Sequence, residues 1–178
     1  MKIKGEFKVI LLGDESVGKT SLFQRFINDS FSETYKQTLG TEILLKEIEI
    51  EQNNNREIIK IILQVWDVAG GQYFRRYREK FYGKASGALL VFDLTRKKTL
   101  NNIQKWKQEI ELSIGYSPNY ILIGNKKDLE NQFEVDKKDI DTLKEDLKIP
   151  VFLTSAKTGD NVEQAFFALA QKLIKNIK

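Results

Sequence analysis

Gly13-Asp14-Glu15-Ser16-Val17-Gly18-Lys19-Thr20 places four residues between two glycines and follows the second glycine with Lys and Thr. That G-x-x-x-x-G-K-[ST] spacing is suited to holding phosphate. Glycines let the backbone turn tightly, so successive N–H groups converge on an anion. A helix opening at the loop's end adds the positive end of its dipole. Lys19 supplies a point charge for terminal phosphates, and the Thr20 hydroxyl can ligate Mg²⁺. The binding set read here is Gly13, Glu15, Ser16, Val17, Gly18, Lys19, Thr20 and Ser21. A Gly-rich strand–helix turn with a solvated Lys is the bland alternative.

Three later clusters fit the same chemistry. In Trp66-Asp67-Val68-Ala69-Gly70, Asp67 closes an apolar run and can hold Mg²⁺ through water. The Gly70 N–H can contact a third phosphate. In Asn125-Lys126-Lys127-Asp128, the Asp128 carboxylate can accept two N–H bonds from the edge of guanine, a donor pair that adenine lacks. A wrong base would leave that carboxylate unpaired. The Lys126 stem can cover a base face, and Asn125 can tie this loop to the phosphate loop. In Ser155-Ala156-Lys157, the Ala156 N–H can bond the guanine carbonyl oxygen. Taken singly, these are an Asp that forms a turn, a solvated Asn-Lys-Asp turn and a turn triplet. Their order behind the phosphate loop gives them weight.

The elements that must position these residues are legible in the apolar pattern. Phe7 to Leu12 is a short, mostly apolar run suited to a buried strand. Leu22, Phe23, Phe26 and Ile27 follow at helical spacing, and 31–40 reads as a long polar loop. Thr41 to Glu51 alternates, with a bulge expected where its parity shifts, and pairs with Ile58 to Trp66 as a hairpin. Strands at 88–92, 120–123 and 151–154 then alternate with helices at 100–114, 136–147 and 162–174. Short apolar strands between amphipathic helices imply an α/β fold: a doubly wound, mostly parallel sheet, one antiparallel edge strand, and helices on both faces. Residues 1–178 read as one domain.

Composition narrows the chemistry. The chain has 178 residues, 41% hydrophobic and 30% charged, a globular balance. It has no Cys and no His, which removes disulfides, thiolate catalysis, imidazole bases and Cys- or His-based metal sites. A net charge of +4 without a basic stripe of interleaved aromatics implies a Lys-rich solvated surface rather than a nucleic-acid partner. No apolar run is long enough to span a bilayer. The first residues form no signal core, Lys2 stands where myristoylation needs Gly, and the last four residues contain no Cys to prenylate. A cytoplasmic monomer is the expectation, peripheral on membranes if a lipidated tail follows.

The four motifs, in this order and register over nearly the whole chain, resemble the Ras superfamily of small GTP-binding proteins. Leu12 to Thr20, Thr38-Leu39-Gly40, Leu63 to Gly70, Phe74-Arg75 and Asn125 to Leu129 are most similar to its Rab-like branch. The resemblance implies a P-loop fold that binds GTP or GDP with Mg²⁺ and hydrolyses GTP. Two switch loops, about 30–41 and 67–79, would be ordered by the γ-phosphate. It implies that Phe31 stacks edgewise on guanine, that Tyr35 lies over the phosphates, and that Thr38 senses Mg²⁺ and γ-phosphate beside Asp67 and Gly70. It further implies an effector-facing triad at Ile43, Trp66 and Phe81, with Ile43 in place of the usual Phe. An exchange factor and a GTPase-activating protein are implied as partners.

Two positions depart from the family pattern. The water-orienting Gln is replaced by Gly71, and Gln72 follows one residue later. Either the Gly70-Gly71 pair lets Gln72 swing into place or intrinsic turnover is slow, because catalytic geometry tolerates little misplacement. Slow turnover is the favoured expectation, with Lys19, Thr38 and Gln72 as the catalytic candidates. Glu15 stands where Ras proteins carry Gly. A carboxylate there repels a polyphosphate unless it points to solvent or to a basic partner; pointing inward, it would hinder an arginine finger. The competing readings are a GTP-locked binding module with negligible hydrolysis and, more weakly, an ATP-dependent phosphotransferase.

Overall fold

A computed structural model describes residues 3–32, 40–52 and 57–175. Its core is a six-stranded sheet in the order β2-β3-β1-β4-β5-β6. The strands are β1 (Ile3–Leu12), β2 (Thr41–Gln52), β3 (Glu57–Val68), β4 (Gly87–Asp93), β5 (Asn119–Asn125) and β6 (Val151–Leu153). Only the β2–β3 pair is antiparallel. The helices are α1 (Lys19–Asn28), α2 (Arg75–Arg78), α3 (Lys97–Asn101), α4 (Ile103–Ile114), α5 (Lys137–Leu147) and α6 (Val162–Ile174). No described helix is long and apolar enough to cross a membrane.

The two-residue period of the strands sorts the core into two layers. Val9 and Leu11 of β1 pack with Phe23 and Phe26 of α1 and Phe166 and Leu169 of α6. Ile10 and Leu12 face the other way, onto Ile103, Trp106 and Ile110 of α4. Between α1 and α6 the Phe26 and Phe166 rings stack with centroids 3.8 Å apart. In α6 the buried residues Val162, Ala165, Phe166, Leu169, Ala170 and Leu173 recur at helical spacing, which is why this segment was legible as a helix. α5 begins on a reciprocal cap: Asp136 accepts from the Asp139 N–H at 2.8 Å, and Asp139 accepts from the Asp136 N–H at 3.1 Å.

Three expectations need correction. β1 starts at Ile3 rather than Phe7, with a register shift against β3 between Ile3 and Gly5. The helix expected over 100–114 is two pieces meeting at Asn102, whose side chain leaves to bond Asp14. The bulge expected in β2 is absent, since its pairing with β3 runs without a shift from Thr41↔Val68 to Gln52↔Glu57. The parity change has another cause: Ile48 and Ile50 are buried, whereas Ile43 and Leu45 are apolar residues on the outward face, 44% and 60% exposed.

The short segment after β3 is held to α4 by a buried charge. Arg78 is 2% exposed. Its Nε and Nη2 donate to the Glu109 carboxylate at 2.8 and 2.9 Å, and its Nη1 donates to the Gly71 carbonyl at 2.6 Å. The guanidinium lies 4.4 Å from the centre of the Trp106 ring. Tyr82 donates to Glu109 at 2.6 Å; burial and that carboxylate push its hydroxyl far above its ordinary pKa, so it stays a donor. Removing one partner of such a pair strands the other charge without solvent. Arg78→Met should therefore lower unfolding stability by about 3–5 kcal/mol in chemical denaturation. Arg78→Met with Glu109→Leu should recover most of that loss, whereas additive losses would mean that the pair is not coupled.

Candidate functional site

The chain enters the site at the carboxyl ends of the parallel strands, where α/β sheets leave a crevice. A cleft of about 990 Å³ opens there. Its walls come from the loop after β1, the end of β3, and the loops after β5 and β6.

At one end the Gly13–Thr20 loop turns under two geometric constraints. Gly13 has φ +152°, and a Cβ there would strike the Val91 carbonyl. Gly18 has φ +99°, and a Cβ there would strike the Asn125 amide. Both positions thus require Gly. Lys19 is 7% exposed, and its Nζ donates to the carbonyls of Gly13 and Asp14, each at 2.8 Å. Burial pulls its pKa down to about 8, against the opposing pull of Asp67 and Asp14. A cation held this way gains from an anion brought to the loop. The Asp14 carboxylate is turned away from Lys19, accepting from Trp106 Nε1 and Asn102 Nδ2, both at 2.7 Å. Val17 is fully buried, so only its backbone can serve a ligand.

Thr20 and Asp67 meet beside Lys19. The Thr20 hydroxyl donates to Asp67 Oδ2 at 2.5 Å. Asp67 is 1% exposed, and its Oδ1 is buried without a hydrogen-bond partner among the described residues. Burial raises its pKa, offset in part by Thr20 and Lys19. An orphaned carboxylate oxygen next to a hydroxyl is the hard-oxygen donor set that Mg²⁺ prefers. Among the described residues no group of three or more His, Cys, Asp or Glu could cage a metal alone. The pair thus fits a cation that also takes oxygens from a ligand or water. Gly70 approaches from β3 so closely that a Cβ on it would strike Lys19 Nζ and the Gly13 carbonyl.

At the other end Asn125, 2% exposed, joins three loops. Its Nδ2 donates to the Val17 carbonyl at 3.0 Å. Its Oδ1 accepts from Thr154 Oγ1 at 3.1 Å and from the Ala156 N–H at 3.2 Å. The Ala156 N–H expected to face a base is thus directed at Asn125 here. Ser155 Oγ donates to Asp128 Oδ1 at 2.6 Å, and Asp128 lines the cleft. Lys126 adopts a left-handed backbone (φ +70°) and reaches Asp93 Oδ2 at 2.6 Å. Phe31, Lys157 and Ser21 also line the cleft.

Several supporting residues went unread in the sequence. Asp93 is fully buried at the end of β4. Burial alone would raise its pKa, but bonds from Lys126 and Thr95 hold it below the usual carboxylate range. Arg96 donates to Asp93 at 3.0 Å and to the Glu15 carbonyl at 2.9 Å. Arg25 of α1 donates to the carbonyls of Ala156 and Lys157 at 2.9 and 2.7 Å, holding the loop after β6 from behind. An Asp closing a strand with no other polar residue was the one available signal, and it was present at Asp93.

The expected switch residues divide. Tyr35 and Thr38 lie outside the described residues. Gly70 and Gly71 line the cleft, whereas Gln72 is exposed, opens a short 3₁₀ turn and is not part of the cleft wall. Ile43 pairs in register with Trp66, and the Trp66 and Phe81 rings lie 5.9 Å apart, so that triad forms one cluster, with Tyr77 at 5.0 Å from Phe81.

Residues 8–175 match the Ras family model. The chain is 39% identical over 168 residues to Ras-related protein Rab-13 of Bos taurus, covering 94% of this chain and 80% of that protein. It is 40% identical over 170 residues to Ras-related protein Rab-1A of Dictyostelium discoideum, covering 96% and 81% respectively. Matches of this extent agree with a six-stranded sheet that carries its phosphate loop after β1, and they show that the chain belongs to the Ras family, as a Rab-like small GTPase that binds GTP and GDP with Mg²⁺.

Proposed function

We propose that this GTP-binding switch hydrolyses GTP slowly and spends long periods with its triphosphate intact. The observation that carries this reading is at positions 71 and 72: Gly71 faces the cleft without a side chain, and Gln72 is exposed outside it. In-line attack on the γ-phosphate needs little covalent help, so turnover depends on charge stabilisation and on a well-placed water. Lys19 supplies the first, at the terminal phosphates. The second lacks its usual side chain.

The remaining roles belong to the same proposal, those of Tyr35 and Thr38 resting on the family resemblance. The amides of residues 15–21 hold the phosphates, and the Gly70 N–H meets the third. Thr20 and Asp67 hold Mg²⁺, joined by Thr38. Bound Mg²⁺ neutralises charge that develops on the phosphate oxygens. Asp128 reads guanine, supported by Ser155; Asn125 fixes the loop that carries Asp128; the Lys126 stem and Phe31 flank the base; and Ala156 and Lys157 close it from the side. Tyr35 covers the phosphates. Ile43, Trp66 and Phe81 present an apolar face to effector proteins, and Ile43 in place of an aromatic residue alters which effectors fit. An exchange factor and a GTPase-activating protein complete the cycle. Residues 1–178 form one domain. The favoured second reading, a GTP-locked binding module, rests on the same Gly71 and differs only in degree.

Single-turnover phosphate release separates these possibilities. Wild type should be slow and Gln72→Ala unchanged, while Gly71→Gln should accelerate turnover about tenfold or more. The Gly71 backbone (φ −67°, ψ 146°) accepts any residue, and only Phe74, 3.2 Å from the new Cβ, must give way. Rapid wild-type turnover that neither change alters would sink the slow-hydrolysis reading. Asp128→Ala should reduce the preference for GDP over ADP by about a hundredfold or more in competition titrations, since the group that rejects the wrong base is gone. Chelating Mg²⁺ should speed release of a fluorescent GDP from wild type. Thr20→Ala should release it quickly with or without chelator, and a chelator response equal to wild type would remove Thr20 from the metal's ligands.

A further inference from the structure

Glu15 stands at the outer lip of the phosphate end with its backbone held in place. Arg96, itself anchored on buried Asp93, donates to the Glu15 carbonyl at 2.9 Å, and the neighbouring Asp14 carboxylate is fixed by Trp106 and Asn102. From that fixed base the Glu15 side chain lines the cleft together with Lys19, Gly70 and Gly71. Its Oε2 lies 3.8 Å from where a Cβ on Gly71 would stand. Its negative charge is also felt at the Lys19 ammonium. The carboxylate therefore reaches over the ground that a side chain at position 71 would share.

We infer that Glu15 sets the site's preference between a nucleoside diphosphate and the corresponding triphosphate, by presenting a carboxylate beside the place of the third phosphate. This rests on the cleft being the guanine nucleotide site. A diphosphate ends deeper in the loop, under Lys19 and the Gly13–Thr20 amides, and meets little of that charge. A triphosphate carries its added charge toward the Gly70–Gly71 end, and like charges repel through a partly solvated gap. Because the Glu15 carboxylate is exposed to solvent, salt screens this repulsion. The result is a tilt toward the diphosphate form that is strongest at low ionic strength.

Competitive titration of GDP and a non-hydrolysable GTP analogue, with Mg²⁺, on wild type, Glu15→Gln and Glu15→Asp tests this. Glu15→Gln should raise the affinity ratio of analogue to GDP by about fivefold at low ionic strength. Glu15→Asp should keep most of the wild-type ratio. Raising salt should lift the wild-type ratio toward that of Glu15→Gln, a response that a purely steric role would not produce. An unchanged ratio in Glu15→Gln, with GDP bound normally, overturns the assignment alone. Failure of wild type to bind either nucleotide overturns the reading of the cleft and the assignment with it.

Discussion

Lys19 is a buried ammonium that donates to two backbone carbonyls. Carbonyl dipoles satisfy its donors without cancelling its charge, and burial makes that charge expensive. The surrounding architecture exists around this arrangement. Gly13 and Gly18 let the backbone fold over the lysine, Gly70 presses against it from β3, and α1 begins at the lysine itself. A buried cation of this kind gains from an anion, and that gain appears as binding energy and as stability of the bound form. Asp67 repeats the pattern with opposite sign, one oxygen engaged by Thr20 and the other buried without a hydrogen-bond partner among the described residues.

The two ends of the cleft are tied twice. Asn125 runs the inner tie, bonding the phosphate loop at Val17 and the last loop at Thr154 and Ala156. The outer tie passes from Lys126 through Asp93 and Arg96 to the Glu15 carbonyl. Both depend on strand ends that the parallel sheet brings into line. The loop after β1 and the loops after β5 and β6 are thus held at a set distance across the cleft.

Much of this was legible in the residues alone, for a physical reason. Phosphate binding uses backbone amides, and backbone geometry is written in the glycines and in the strand–helix order, which are local. The α/β class followed from short apolar strands such as 88–92 and from the amphipathic spacing of 162–174. Asp67 and Asn125 stand at strand ends and Asp128 follows β5 by three residues, so the strand order alone puts them at one edge of the sheet. Arg78 with Glu109, Arg96 with the Glu15 carbonyl, and Arg25 with two carbonyls after β6 could not be found in the sequence, since each pairs residues through tertiary packing that no spacing encodes. Asn102 looked like an interior helix residue because its pull toward Asp14 is invisible in the helical period. The parity change in β2 was misread for a related reason. Alternation reports burial only when the other face is polar, and Ile43 and Leu45 make the outward face apolar as well.

α4 and the residue that opens it hold both sides of the phosphate end. Asn102 and Trp106 grip Asp14 of the first loop, while Trp106 and Glu109, within one turn of each other, grip Arg78 and through it the Gly71 carbonyl. One helix therefore serves as a ruler between two loops that line the same cleft. A ligand that needs a wider gap cannot obtain it by moving either loop alone. It must tilt the helix or break a grip, which couples the width of the mouth to the seating of that helix on the far face of the sheet.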